Sequence, residues 1–290
     1  MNSRERWLAL LQGKAADKVP MDYWATEEAT QKFLRYFDLD SIFELYEEFD
    51  LDPLISLTPD YRGPTINGEK PIVPEGLGLY HEFHSESGCK EDFLGVKYKK
   101  SEYQGGVYWE PIHHPLAEFK SVKEIEENYD RWPKTEWFDY SGIKKQVEKY
   151  RDYPLMGGGS EPFLTYRYLR GREQAFKDLI LNQEMVKFVL DKLFGFCRRN
   201  TERILGEGHG EITLSAVAED LGAQTNLLYS RDQIKEFFLP HMSEMADLIH
   251  RCDAYVFCHS DGAIRKIIPD LIEIGIDVLN PIQWRSTGMD

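Results

Sequence analysis

Phe257-Cys258-His259-Ser260-Asp261-Gly262 closes an apolar run at 254–258 and precedes a segment of helical spacing at 263–274. An apolar strand that delivers a histidine and an aspartate two residues apart at its carboxyl end, with a glycine opening the next helix, reads as a βα turn at the active-site end of an α/β fold. Imidazole and carboxylate at such a corner supply metal ligands or acid–base groups.

Working outward, apolar strand-like runs stand at 21–24, 54–57, 154–156, 212–217, 254–258 and 278–282. Helix patterns separate them at 3–12, where Ser3 can cap and Gly13 stop the helix, and at 27–37, 39–46, 121–129, 140–150 and 182–205. Ser230-Arg231-Asp232-Gln233 is a capping box that opens a further helix to about residue 250, which Pro240 is expected to kink. Six strands separated by helices predict a parallel sheet, and the spacing suits a (β/α)8 TIM barrel better than a doubly wound sheet.

Residues 63–115 break this rhythm. Gly, Pro and short alternating runs such as Val96-Lys97-Tyr98-Lys99 and Gly106-Val107-Tyr108-Trp109-Glu110 predict β-hairpins inserted into the scaffold. The expected organisation is one barrel domain over 1–290, with six of eight βα units, carrying this insertion.

The 290 residues, 42% apolar and 13% aromatic, suffice for a large core. A net charge of -15 disfavours a sequence-independent grip on nucleic acid, which needs clustered Lys and Arg. No run approaches the roughly 18 apolar residues of a membrane span, so the cytoplasm is the expected compartment. Cys89, Cys197, Cys252 and Cys258 form neither a disulfide framework nor a CxxC motif.

Three spaced signatures carry a resemblance. They are Ser3-Arg4-Glu5-Arg6-Trp7 through Gly13 with Asp17-Lys18-Val19-Pro20; Glu219-Asp220-Leu221-Gly222-Ala223-Gln224-Thr225 with Ser230 and Phe237-Phe238-Leu239-Pro240; and His259-Ser260-Asp261-Gly262 with Val278-Leu279-Asn280-Pro281-Ile282-Gln283. The chain resembles the uroporphyrinogen decarboxylase superfamily, which includes corrinoid-linked methyltransferases such as methylcobamide:coenzyme M methyltransferase. The resemblance implies a (β/α)8 barrel of which this chain ends after the sixth strand. It also implies that a partner or a second copy, as in a homodimer, covers the exposed edges.

In the thiol-activating methyltransferases of that superfamily a His-x-Cys at this turn holds zinc together with a later Cys. Here the Cys position is Asp261. The resemblance makes His259, Asp261 and Glu219 candidate metal ligands, with zinc the implied ion, and His259 and Asp261 candidate catalytic groups. Asp261 equally resembles the Asp-Gly of true decarboxylases, which need no cofactor. That branch, however, clamps substrate carboxylates with Arg just after the first strand, and residues 21–31 contain neither Arg nor Lys.

By the same likeness Asp52 and Tyr168 are candidate catalytic groups lining the pocket, with Asp50 beside them to bind substrate, where the family keeps a carboxylate and a tyrosine. Their plainer roles are a turn pair bonding local backbone and a packed helix aromatic. Glu219, Asp220 and Gln224 follow a strand on the catalytic face, where adjacent carboxylates raise one another's pKa; a helix-start cluster is the alternative. Asn280 and Gln283 would offer neutral hydrogen bonds, and Gly158 in Gly157-Gly158-Gly159 close backbone approach to a substrate. His81, His84, His113 and His114 read as surface histidines.

The expected function is corrinoid-dependent methyl transfer, with a small-molecule or tetrapyrrole substrate and a corrinoid protein as partner. The alternatives are porphyrinogen decarboxylation and a non-catalytic binding or assembly role.

Overall fold

The computed structural model describes residues 1–79, 89–103 and 106–290; the motif at 81–84 lies outside them. Ten strands are assigned among these: β1 (Ile55–Leu57), β2 (Asp60–Tyr61), β3 (Cys89–Glu91), β4 (Lys97–Tyr103), β5 (Gly106–His113), β6 (Phe138–Asp139), β7 (Leu155–Ser160), β8 (Leu214–Val217), β9 (Tyr255–His259) and β10 (Val278–Asn280). β1, β7, β8, β9 and β10, in that spatial order, form one sheet, and each neighbouring pair is parallel. The connections carry helices, including Pro162–Arg170, Gln183–Glu207 and Leu239–Arg251. This is the α/β, parallel-sheet class.

The sheet has five strands where the sequence suggests six. Residues 21–24 are extended but join no ladder. Met21 instead closes two bonds with one residue: its carbonyl accepts from the Asp52 amide at 2.6 Å and its amide donates to Asp52 Oδ2 at 3.2 Å. β1 and β10 end the sheet, with no further strand paired to them there among the described residues. In the 63–115 region β3, β4 and β5 form an antiparallel sheet, and β2 pairs separately with β6.

The core lies mainly on the helix side of the sheet. Helix Gln183–Glu207 presents Val186, Val189, Leu190, Leu193 and Cys197 at helical spacing, all buried against β7 and its neighbours. Each such aliphatic side chain contributes roughly 1.5–3 kcal/mol by leaving water. A smaller cluster of Trp7, Met156, Leu214 and Phe257 fills the opposite, concave face of the sheet.

Local signals act one or more residues from where the sequence placed them. Asn2, not Ser3, caps the first helix, Ser3–Leu11, and Glu5 completes its capping box. The Ser230 box forms, and the chain then makes a π-turn over Ile234–Phe238 before helix Leu239–Arg251, in whose first turn Pro240 lacks a donor. The helix expected from 263 begins only at Ile268. Gly262 sits at φ +86°, where its amide donates to Gln283 Oε1 at 2.6 Å and a Cβ would fall 2.6 Å from the Ala223 carbonyl.

Candidate active site

Side chains alternate faces along a strand, so Tyr255, Phe257 and His259 of β9 share the concave face while Val256 and Cys258 point to the helices. Phe257 and His259 line a cavity of about 710 Å³ over the carboxyl ends of the strands. Leu54 and Ser56 around β1, Met156 and Ser160 of β7, and Ala216 and Ala218 around β8 supply its other strand walls. Tyr23, Trp24 and Glu27 cover one side, and Glu75, Gly76 and Gly78 another.

His259 is held from two directions. Its Nδ1 lies 2.9 Å from Asn280 Oδ1 on the neighbouring strand, and its ring sits 5.9 Å from that of Trp24. With the amide oxygen as acceptor, Nδ1 carries the proton and Nε2 keeps an open lone pair. Ligand atoms of His259, Asp220 and Asp261, which end or follow β8 and β9, all lie within 4.8 Å of one another.

Beside them is an acidic network with one loosely held cation. An Arg167 Nη is 4.0 Å from both Glu161 and Asp220, and Arg167 Nε is buried with no hydrogen-bond partner among the described residues. Burial, and then the Asp220 carboxylate, push the Glu161 carboxyl up to about 8. Glu219 is displaced well upward by its own burial and by Glu161, although its Oε1 accepts from the Phe163 amide at 2.9 Å. Carboxyls so perturbed beside a cavity are candidates for proton donation.

Several residues singled out from the sequence stand elsewhere. Asp52 is 1% exposed and bound to Arg6, to the Met21 amide and, at 3.4 Å, to Lys18 Nζ. Strand register puts it below His259, toward the amino end of the sheet, because it precedes β1 while His259 ends β9. Asp50, paired to Lys18 at 2.7 Å, lies with it. Neither lines the cavity.

Gly158 also faces away from it. A register shift between Met156 and Gly159 turns Gly158 toward helix Gln183–Glu207, where a Cβ would meet Thr201 at 2.7 Å; close helix packing, not substrate approach, requires glycine there. Glu219 is replaced by Asp220 in the group that could hold a metal, because its carboxyl is turned to the Phe163 amide. Gln224 is exposed. Gln283 holds the Gly262 amide and Asn280 holds His259, so both position the turn.

Tyr168 flanks the cavity and reaches it through Glu75, to whose Oε2 its hydroxyl donates at 3.0 Å. His113 is exposed, and His114 Nδ1 lies 2.6 Å from the Tyr168 carbonyl, an anchor of the insertion on helix Pro162–Arg170. Sequence reasoning passed over Trp24, Glu75, Glu161 and Arg167. Only Glu161 carried a signal, as the acid between a triglycine strand end and the proline that opens a helix.

A family model described as uroporphyrinogen decarboxylase (URO-D) matches residues 91–286. No curated protein matches the chain. Among solved structures, a methyltransferase from Methanosarcina mazei is similar in fold, with a TM-score of 0.57, 17% identity, and an alignment over 96% of this chain and 75% of that one. No helix among the described residues is long and apolar enough to cross a membrane. With the family match extending over more than half its length, this chain belongs to the uroporphyrinogen decarboxylase family.

Proposed function

We propose that this is a (β/α)8-type enzyme that removes a methyl group from a substrate in the cavity and passes it to a corrinoid, with a corrinoid protein as its partner. The carrying observation is the cavity lining. Among the described residues it holds Glu27, Glu75 and Glu161 within largely apolar walls and no Lys or Arg. A porphyrinogen with several carboxylates would meet like charges where it needs bidentate cationic clamps.

Asp220, His259 and Asp261 suit a divalent ion bound through nitrogen and oxygen, zinc included. The sulfur set of a thiolate-activating zinc is not matched: Cys258 faces the helices, and burial pushes its thiol up to about 12. A bound ion would supply Lewis-acid polarisation of a substrate heteroatom that carries a lone pair. The chain's own groups do the rest. Asn280 fixes the His259 tautomer, Trp24 packs against the imidazole, and Glu161, which holds its proton while the cavity is empty, stands at the wall where the substrate's heteroatom would lie.

One observation favours a second reading: Asp261-Gly262 matches the decarboxylase turn, and such an enzyme needs no metal. Anaerobic mixing of purified protein with cob(I)alamin and a panel of methyl donors, followed by absorbance, separates the two. Methyl transfer that depends on His259 is expected. Release of CO2 from uroporphyrinogen with no methyl transfer would overturn the proposal in favour of decarboxylation. The edges β1 and β10 are where a second copy would pair, measurable as the mass in solution.

A further inference from the structure

We infer that the cavity binds a small organic cation of the methylated-ammonium type, which would serve as methyl donor if the transfer reading above holds. Three aromatic side chains, Tyr23, Trp24 and Phe257, line the same space as the three carboxylates of Glu27, Glu75 and Glu161. Trp24 is 58% exposed at the mouth, with its ring centre 6.1 Å from that of Phe257, so it offers an indole face to whatever enters. An electron-rich indole face beside apolar wall attracts weakly hydrated cations.

Glu161 sharpens the choice of ligand. Its side chain is 17% exposed, and its carboxyl makes no hydrogen bond among the described residues, although it stands at the start of helix Pro162–Arg170 where a capping bond was open to it. Its nearest cation, Arg167, stays at 4.0 Å and is shared with Asp220. A carboxyl so placed has only a distant, shared cation, and a ligand cation would supply a nearer counter-charge and favour its ionised form.

Other ligand classes leave something uncompensated. An anion meets three carboxylates and a chain of net charge -15. A neutral apolar molecule suits the walls but does nothing for Glu161. A bare metal ion gains nothing from the aromatic side. A methylated ammonium sheds its water cheaply, packs on apolar surface and satisfies the acid, and a cavity of about 710 Å³ admits one with room for a substituent.

The test is calorimetric titration of the whole chain with choline, with its neutral isostere 3,3-dimethylbutan-1-ol, and with butane-1,2,3,4-tetracarboxylate. Choline should bind about tenfold or more tighter than the alcohol. E161Q and W24A should each weaken choline about fivefold, leaving the alcohol little changed and cooperative unfolding retained. Trp24→Phe, which keeps a ring, should retain most of the affinity. Equal binding of the alcohol, tighter binding of the tetracarboxylate, or choline affinity indifferent to E161Q would overturn the proposal. The two layers separate: choline binding without methyl transfer to cob(I)alamin overturns the transfer reading and leaves the cation site, whereas transfer from methanol with no choline binding does the reverse.

Discussion

His259 and Asn280 face one another across the last two parallel strands, in register, with Nδ1 and Oδ1 2.9 Å apart. The contact fixes the imidazole at the carboxyl end of β9 and leaves Nε2 free of Asn280, in a residue whose ligand atom lies within 4.8 Å of those of Asp220 and Asp261. An imidazole freed of such a partner loses both its orientation and its tautomer. Asn280→Ala should therefore weaken zinc or manganese binding about tenfold or more, with the melting temperature nearly unchanged. Competitive titration against a chromophoric chelator reads this, and unaltered metal affinity would count against the Asp220, His259 and Asp261 set.

At the other end of the sheet, Arg6 joins Asp17 and Asp52 while Trp7 donates to the Asp52 carbonyl at 2.9 Å. Truncating one member of a buried pair strands the other charge, so Asp52→Ala should cost about 3 kcal/mol in denaturant unfolding. Choline affinity of the folded fraction should not change, because Asp52 lies far from the cavity. A change in ligand binding with stability intact would restore Asp52 to the site.

Gly158 has φ +70°, and its missing Cβ leaves room for Thr201, whose hydroxyl accepts from the Gly159 amide at 2.7 Å. Gly158→Ala meets both backbone strain and overlap, with an expected loss of roughly 2–3 kcal/mol. Thermal unfolding measures it. A neutral outcome would mean that the helix Gln183–Glu207 can withdraw.

Glu161 and Glu219 hold protons in the folded state at pH values where an ordinary glutamate, near 4.5, has lost them. Unfolding then releases protons, so stability should fall as pH rises from about 4.5 to about 8 and level off above. Arg167 opposes this upward displacement, while Asp220 and Glu75 add to it. Asp17, lowered by Arg6, acts below this window: its contribution is present above the ordinary aspartate pKa and lost in acid. Melting temperatures of E161Q and E219Q across pH 5–8 should flatten relative to the parent. Equal slopes would contradict the burial of these carboxyls.

Strand and helix periodicity made the parallel sheet legible, since runs such as 254–258 and the stripe from Val186 to Cys197 carry their own geometry. The 21–24 run misled because its apolar spacing matches a strand, while the Met21 amide and carbonyl are taken by the Asp52 carboxylate and backbone and the Tyr23 amide by Asp22. The His259 corner was legible because strand alternation fixes its face. Asp52 was misplaced because a short acidic turn does not reveal which end of a sheet it serves; the partner that decides it, Arg6, is 46 residues away. Trp24 and Glu75 carry no local signature, nor does Arg167, and only the fold brings the first two to one cavity with Arg167 beside it.

The central claim is methyl transfer from a cation held over His259. Its most direct test is a single-turnover experiment with metal-loaded protein, cob(I)alamin and a trimethylammonium donor, followed by loss of the cob(I)alamin spectrum. Methylation that is abolished by His259→Ala and, below saturation with donor, slowed about fivefold by E161Q is predicted. No methylation from any donor, with CO2 released from uroporphyrinogen by the same preparation, would contradict it.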